Sequence, residues 1–264
     1  MSPTTSEFLF NPALPSRDAI IALCRADGYK NRGIPLRGQS PESIIAWVKY
    51  GTGVRMPEAL TQHWVATALE ANPAVDLRVP RVYDAFMGEG VYRRIGFIVM
   101  EYIDASDCDN TDVQLVAQAV QVLIGLKAQV PPGTIGGGPI RHNFYLNCHS
   151  RVIYETVEEL EDHINGILKF KGDYRRVDLV ADAKDGLQLC PFALDFGVTC
   201  FMPPCFFAVA MIKSEDMFTR RVAMDLDYPK SSEVSTIVAA SYFLVPFGTG
   251  HLALPESVRE RCGL

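Results

Sequence analysis

Four charged residues, widely separated along the chain, are of the types that together could carry out phosphoryl transfer. Lys49 lies in A-W-V-K-Y-G, and Glu58 follows it in M-P-E-A-L. Asp178 lies in R-V-D-L, and Asp195 lies in L-D-F-G. A lysine on a rigid strand can hold two phosphates of ATP, and a helical glutamate can hold that lysine in place. A loop aspartate can accept the proton of the attacking hydroxyl group, and a second aspartate can hold the metal ion that bridges the phosphates.

The elements that must position the lysine and the glutamate can be predicted from local composition. Residues 43–50 are rich in β-branched and aromatic side chains, which is typical of a strand, and two glycines follow. Pro57 then lies where the first turn of a helix favours proline, and apolar residues recur at i+4 spacing until Asn72-Pro73. This pattern predicts a strand that carries Lys49 and a helix that carries Glu58 in its first turn.

Two more strands complete the predicted N-terminal part of the chain. Strand-like runs at residues 81–86 and 95–103 are joined by a turn at Gly88–Gly90. A strand, a helix and two further strands form a small α+β arrangement. The sequence therefore predicts an N-terminal domain over residues 1–103, built from a small antiparallel sheet and a helix.

The rest of the chain, residues 104–264, predicts a mainly helical second domain. Residues 112–129 form an amphipathic pattern, and Thr156 begins a capping-box sequence that predicts a helix to about Leu168. Residues 187–196 have the composition of a strand, although Pro191 is unfavourable inside one. Further helices are predicted over residues 204–212, 214–225, 231–245 and 256–261.

Composition excludes several classes of partner. The 264-residue chain has a net charge of −6 and a pI near 5.4, which argues against nonspecific binding to nucleic acid. No apolar run reaches the roughly 20 residues of a membrane span, and the N-terminus lacks the pattern of a secretory signal. The seven cysteines are scattered without zinc-ligand spacing, which is typical of free thiols in a reducing compartment. We therefore expect a cytoplasmic protein with a small-molecule substrate and no nucleic-acid or membrane partner, and its oligomeric state stays open.

The order lysine, glutamate, aspartate and then Asp-Phe-Gly is that of the protein-kinase signature set. Over residues 43–250 the chain resembles the aminoglycoside phosphotransferase and choline-kinase type of kinase-like proteins, particularly their fungal members. I-A-W-V-K-Y-G is similar to their strand with the ATP lysine, and A-L-D-F-G-V-T-C-F-M-P-P-C-F-F-A is similar to the segment with their metal-binding aspartate. The resemblance implies an α+β, protein-kinase-like two-lobe fold, with a small mixed N-terminal lobe and a larger, mainly helical C-terminal lobe. It also implies that ATP and Mg²⁺ are held in a cleft between the lobes.

The resemblance extends to the segment that joins the two lobes. V-P-R-V-Y-D-A-F and F-I-V-M-E-Y-I are similar to the two strands that lead into the lobe hinge of these proteins. The resemblance implies that Glu101, Tyr102 and Ile103 lie beside the adenine, where backbone groups would pair with its edge. Lys49 and Glu58 would then complete the nucleotide-binding set.

The loop that carries Asp178 departs from the family pattern. Arg176 replaces the histidine of H-R-D-L-x-x-x-N, and Ala183 stands where a metal-binding asparagine is expected. Because alanine has no polar side chain, that ligand is lost, and Asp182 beside it is the candidate substitute. The resemblance thus implies Asp178 as the base, Asp195 as the catalytic aspartate that binds the metal, and Asp182 as a second metal ligand.

Two functions from different classes stay open. In the first, the protein transfers phosphate from Mg-ATP to a small hydroxylated metabolite. In the second, it is a pseudokinase or a repurposed kinase-like fold that binds a metabolite or a partner, or performs non-phosphoryl chemistry, without phosphoryl transfer.

Some side chains outside this set have two interpretations. His142 and His149 are expected to be exposed loop residues, with an acid–base role as the alternative. Aromatic and methionine side chains are clustered after Asp195, and they predict core packing, with an apolar substrate wall as the alternative. The cluster consists of Phe201, Met202, Phe206, Phe207, Met211 and Phe218.

Overall fold

The computed structural model describes residues 8–29, 32–40, 42–90, 93–191, 196–247 and 251–264. The chain divides into two compact units, residues 1–107 and 108–264. The α+β class predicted from the sequence is confirmed, because a four-stranded sheet with two helices precedes a mainly helical part.

The N-terminal unit is built on an antiparallel sheet with strand order β1-β2-β4-β3. Its strands are β1 (Gly33–Arg37), β2 (Ile44–Gly51), β3 (Val82–Glu89) and β4 (Arg94–Met100), and its helices are α1 (Arg17–Ala26) and α2 (Met56–Glu70). On one face of β2, the buried side chains of Ala46, Val48 and Tyr50 pack in a core with Ile20 and Cys24 of α1. Alternation along β2 therefore places Lys49 on the opposite face of the sheet.

Two features of this sheet differ from the sequence prediction. Strand β1 was not predicted, because Gly33 and Pro35 are poor strand formers, but β1 is an edge strand, where proline is tolerated. Strand β4 ends at Met100 rather than at residue 103. A further backbone hydrogen bond, from Glu101 N to Arg81 O at 2.8 Å, continues the pairing beyond it.

The C-terminal unit combines its helices with a three-stranded antiparallel sheet of order β5-β6-β7. The strands are β5 (Lys127–Ala128), β6 (Leu187–Cys190) and β7 (Cys200–Met202). The helices are α3 (Val113–Ile124), α4 (Val157–Phe170), α5 (Leu179–Asp182), α6 (Cys205–Ile212), α7 (Met217–Met224), α8 (Glu233–Leu244) and α9 (Glu256–Cys262). Helix α6 is buried along nearly its whole length, which explains its almost unbroken apolar sequence.

Two elements of this unit end earlier than the sequence predicts. Helix α3 ends at Ile124 with Gly125 as its C-cap, so residues 127–128 are free to form β5 instead of continuing the helix. Strand β6 ends at Cys190, directly before Pro191, which cannot donate a backbone hydrogen bond to a neighbouring strand. Strand β7 was missed because three residues carry too little pattern, and it exists through its pairing with β6.

Candidate functional site

Lys49 and Glu58 form an ion pair in the N-terminal unit, with Nζ 2.6 Å from Oε1. The Glu58 side chain is only 5% exposed, whereas the Lys49 side chain is 28% exposed. The first turn of α2 supplies a favourable helix dipole for this carboxylate. The sequence prediction that these two residues would pair is therefore met in the structure. Their nucleotide-binding role stays a prediction.

Trp47 is a candidate residue that the sequence analysis did not select. It lies two residues before Lys49, so both side chains project from the same face of β2. Its ring stacks on Tyr102, with centroids 6.4 Å apart and planes inclined by 28°. A Cβ at Gly33, on the neighbouring strand, would come within 2.6 Å of the Trp47 ring, so only glycine leaves room there. The i, i+2 spacing from Lys49 was the signal that could have identified this aromatic residue.

The three residues expected beside adenine follow β4 directly. The Glu101 carboxylate pairs with Arg78, and the Glu101 backbone N–H donates to Arg81, so this residue is engaged within its own unit. Tyr102 stacks on Trp47, and Ile103 has 43% of its surface exposed. An aromatic ring and an exposed apolar side chain therefore lie next to each other along the chain at the predicted adenine position.

The loop with Asp178 is hydrogen-bonded to α4 through the residues directly before and after the aspartate. The Asn165 side chain accepts a hydrogen bond from Val177 N at 2.9 Å and donates one to Val177 O at 3.2 Å. Glu161 Oε2 accepts from Leu179 N at 2.8 Å. Because Val177 and Leu179 are buried, Asp178 between them is directed outward and exposed. Sequence reasoning missed Asn165 and Glu161, since nothing local marks them as loop anchors.

The Asp178 carboxylate has a structural task of its own. Its Oδ1 accepts a hydrogen bond from Ala181 N at 2.9 Å and caps the short helix α5. A carboxylate has about four lone-pair sites, so this bond leaves room for a substrate hydroxyl group. The geometry is therefore compatible with the predicted base, which stays a prediction.

Asp182, the predicted substitute metal ligand, also accepts a hydrogen bond from the backbone. Its Oδ2 accepts a hydrogen bond from Cys205 N at 2.8 Å, at the start of α6. Burial, with the Asp182 charge as a smaller contribution, raises the pKa of the Cys205 thiol. In the described part of the chain, no cluster of three or more His, Cys, Asp or Glu side chains is arranged to hold a metal ion. Asp195, the other predicted metal ligand, lies outside the described residues.

His142 is buried, contrary to its predicted position in an exposed loop. Its Nδ1 accepts a hydrogen bond from Phe144 N at 2.9 Å, so Nε2 carries the proton and donates to Phe206 O at 3.0 Å. Burial lowers the pKa of His142 to about 4. The prediction was wrong because the neutral ring satisfies two backbone groups, which the local sequence does not reveal. His142 is thus a structural side chain that anchors its loop to α6.

Comparisons with known proteins do not establish a family. No protein-family model and no curated protein matches the chain. Among solved structures, the chain is similar to a candidate fructosamine-3-kinase from Haemophilus somnus 129PT, at 14% identity and a TM-score of 0.40. The match covers 92% of this chain and 94% of that chain. This likeness is too weak to show a shared fold or activity, so the kinase-like resemblance and its fungal branch stay predictions. Within the described residues, no helix is both long and apolar enough to cross a membrane.

Proposed function

We propose that this chain is an ATP-dependent, phosphotransferase-like protein that acts on a small hydroxylated metabolite. The main support for this proposal is the Lys49–Glu58 ion pair. Replacing a largely buried ion pair with apolar residues is often neutral or stabilising, so such a pair is poorly explained by stability alone. Here the carboxylate is buried while the ammonium group is partly exposed, which suits a lysine that presents its charge to a ligand.

The neighbouring side chains on this face of the sheet support a nucleotide as that ligand. Lys49 would bind the phosphates, and Glu58 would orient Lys49. Trp47 and Tyr102 offer aromatic surface for a base, since base–aromatic stacking contributes about 1–3 kcal/mol per base. Glu101 and Ile103 would flank the adenine, as the resemblance implies.

The proposed chemistry in the C-terminal unit uses two or three carboxylates. Asp178 would accept the proton of the substrate hydroxyl group while it remains the cap of α5. Mg²⁺ would supply charge neutralisation for the phosphates, and it usually takes one or two protein carboxylates with phosphate and water. Asp195 is the primary candidate to hold it. Asp182 could contribute its Oδ1, because Cys205 N engages only Oδ2.

One observation favours the alternative function, a kinase-like protein without phosphoryl transfer. Asp178 and Asp182 both hydrogen-bond to backbone N–H groups at helix starts, and Ala183 supplies no ligand. These two carboxylates therefore have structural roles that do not require a nucleotide. Such a protein would bind a metabolite or a partner without transferring phosphate.

Thermal unfolding with ATP, with Mg²⁺, with both and with neither tests the proposal. Ligand at about 100 times its Kd stabilises a protein by about 2.7 kcal/mol. For a chain of this size, that corresponds to a shift of the melting temperature of about 5–10 °C. We expect this shift to require both ATP and Mg²⁺ and to be lost in Lys49→Met. Lys127→Met, which removes an exposed lysine from the C-terminal unit, is the matched control and should keep the shift.

No shift at millimolar ATP and Mg²⁺ would contradict the phosphotransferase function. A shift that survives in Lys49→Met would contradict the role of the ion pair. A screen of hydroxylated metabolites for ADP release should follow a positive result.

A further inference from the structure

The C-terminal unit contains an apolar cavity of about 320 Å³ that the proposed function does not use. Apolar side chains from three helices line it in pairs. They are Val116 and Val120 of α3, Phe207 and Met211 of α6, and Phe218 and Val222 of α7. Cavities of this kind, apolar and only partly open, are typical of small-molecule sites, whose volumes begin at about 300 Å³.

Half of the predicted aromatic and methionine cluster lines this cavity. Phe201, Met202 and Phe206 are completely buried and belong to the core, as expected from the sequence. Phe207, Met211 and Phe218 line the cavity, although Phe207 and Met211 are also buried in the core. For these three residues, the second interpretation of the cluster, an apolar wall for a ligand, stays open.

Helix α7 covers the cavity without being packed like a core helix. Of its eight residues, only Val222 is buried. Polar contacts join α7 to the segment before it and join the segment after it to α3. Arg220 Nε donates to Ser214 O at 2.9 Å, and the Gln121 side chain of α3 exchanges two hydrogen bonds of 2.8 Å with the backbone of Asp227. These contacts fix α7 over the cavity, where apolar packing alone would leave it weakly held.

The polar groups at the rim of the cavity are already satisfied within α7. Asp216 caps the helix, and its Oδ2 accepts from both Thr219 N and Thr219 Oγ1 at 2.7 Å. These hydrogen bonds lower the pKa of Asp216, so its carboxylate is ionised at neutral pH. A ligand needs no charged group to bind here, and an anionic ligand would meet a negative charge at the entrance.

We propose that this cavity binds one uncharged, apolar molecule with about the size of a two-ring aromatic compound. A dry cavity of ~150 Å³ lined by apolar side chains accommodates benzene, and this cavity has about twice that volume. The flexible Met211 thioether allows the wall to adapt to an aromatic edge. Among the described residues, those that line the cavity are different from those of the proposed phosphotransferase function, and the proposal does not depend on that function.

Calorimetric titration with matched naphthalene probes tests the ligand class. We expect 2-naphthylmethanol, which is uncharged, to bind one to one, with a negative heat-capacity change from apolar burial. The anionic 2-naphthoate should bind at least tenfold more weakly. Absence of saturable binding by 2-naphthylmethanol, or equal binding by both probes, would overturn the proposal. Preference for 2-naphthylmethylammonium by more than tenfold would likewise overturn it.

Variants on α3 locate the binding site. Val116→Phe fills the cavity and should weaken 2-naphthylmethanol binding at least tenfold, whereas Leu115→Phe, on the exposed side of the same helix, should not change it. Where Val116→Phe fails to melt cooperatively, Leu226→Phe at the partly buried rim provides the same test. Unchanged binding in the folded cavity variant would place the probe elsewhere and overturn the proposal. Loss of binding in Lys49→Met would also overturn it, because that residue belongs to the other unit.

Discussion

The Glu58 carboxylate lies 2.6 Å from the Lys49 ammonium group and is almost inaccessible to solvent, whereas the lysine is not. This asymmetry distinguishes the pair from an ordinary surface salt bridge. A buried carboxylate needs a partner to offset its desolvation, and a partly exposed lysine can serve a second, external partner. Because Lys49 is on a central strand and Glu58 is in the first turn of α2, both groups are held on rigid elements.

A double-mutant cycle with Lys49→Met and Glu58→Gln should show energetic coupling between these residues. We expect a coupling free energy of about 1–3 kcal/mol, because Glu58 is shielded from water. Urea denaturation of the wild type, both single variants and the double variant measures it. The same cycle on Arg17 and Asp84, an exposed pair at 2.6 Å, should give less than about 1 kcal/mol. Additive effects at Lys49 and Glu58 would refute the pairing.

Asp195→Asn should abolish Mg²⁺-dependent binding of ATP without unfolding the protein. An amide has no negative charge with which to hold the metal ion, so nucleotide affinity should lose its dependence on Mg²⁺. Calorimetric titration with ATP, in the presence and absence of Mg²⁺, measures this dependence. Asp185→Asn, at an exposed position in the same unit, is the control and should behave as wild type. Binding that is unchanged in Asp195→Asn counts against the proposed metal role.

Asp182 should have a structural role that can be separated from metal binding. Asp182→Ala removes the acceptor for Cys205 N at the start of α6 and should destabilise the protein by about 1 kcal/mol. Asp182→Asn keeps an oxygen acceptor at this position and should retain most of the stability. If Asp182 also binds Mg²⁺, Asp182→Asn should weaken Mg-dependent ATP binding while its unfolding curve stays close to that of wild type. Wild-type ATP affinity in Asp182→Asn would leave only the structural role.

Trp47 should report nucleotide binding directly. In a Trp64→Phe background it is the only tryptophan, and ATP with Mg²⁺ should change its fluorescence if the base stacks nearby. Trp47→Leu should weaken ATP binding about tenfold, since stacking contributes about 1–3 kcal/mol. Trp64→Leu, on α2, is the control for the loss of a tryptophan. A Trp47 emission that does not respond to saturating ATP would contradict this arrangement.

Protein stability should fall as pH decreases from about 6.5 to about 4. Burial lowers the pKa of His142 and of His163 to about 4, so both rings are neutral in the folded protein. The unfolded chain takes up these protons near pH 6.5, and the stability present above that pH is lost as pH falls through the folded values. By pH 4, each of the two rings should account for a loss of roughly 3 kcal/mol in the free energy of unfolding.

Urea denaturation between pH 7.5 and pH 4.5 measures this loss. His163 accepts from the Tyr154 hydroxyl group at 2.6 Å through Nδ1 and donates to Leu252 O at 2.8 Å through Nε2. His163→Gln should be less stable at pH 7.5 and should lose stability less steeply on acidification. His63→Gln keeps both buried rings and should keep the steep loss. Equal slopes for His163→Gln and wild type would show that His163 is not a source of the pH dependence.

Elements with strong local signals were predicted from the sequence alone. The β-branched and aromatic run of β2 and the proline in the first turn of α2 identified both elements, and thereby the elements that carry Lys49 and Glu58. The prediction succeeded because side-chain sterics and capping act within a few residues. The α+β class followed from the order of these elements.

Features that depend on distant partners were decided only by the tertiary structure. Strands β1 and β7 have little propensity of their own and exist because β2 and β6 supply hydrogen bonds to them. The burial of His142 depends on Phe206, distant in sequence, whose backbone carbonyl accepts a hydrogen bond from Nε2. The chain order suggested that Lys49 and Glu58 meet, but only the packing of α2 on the sheet determined how far each is shielded from water. The apolar cavity requires three helices at once, and no local pattern in the sequence encodes the space that they leave between them.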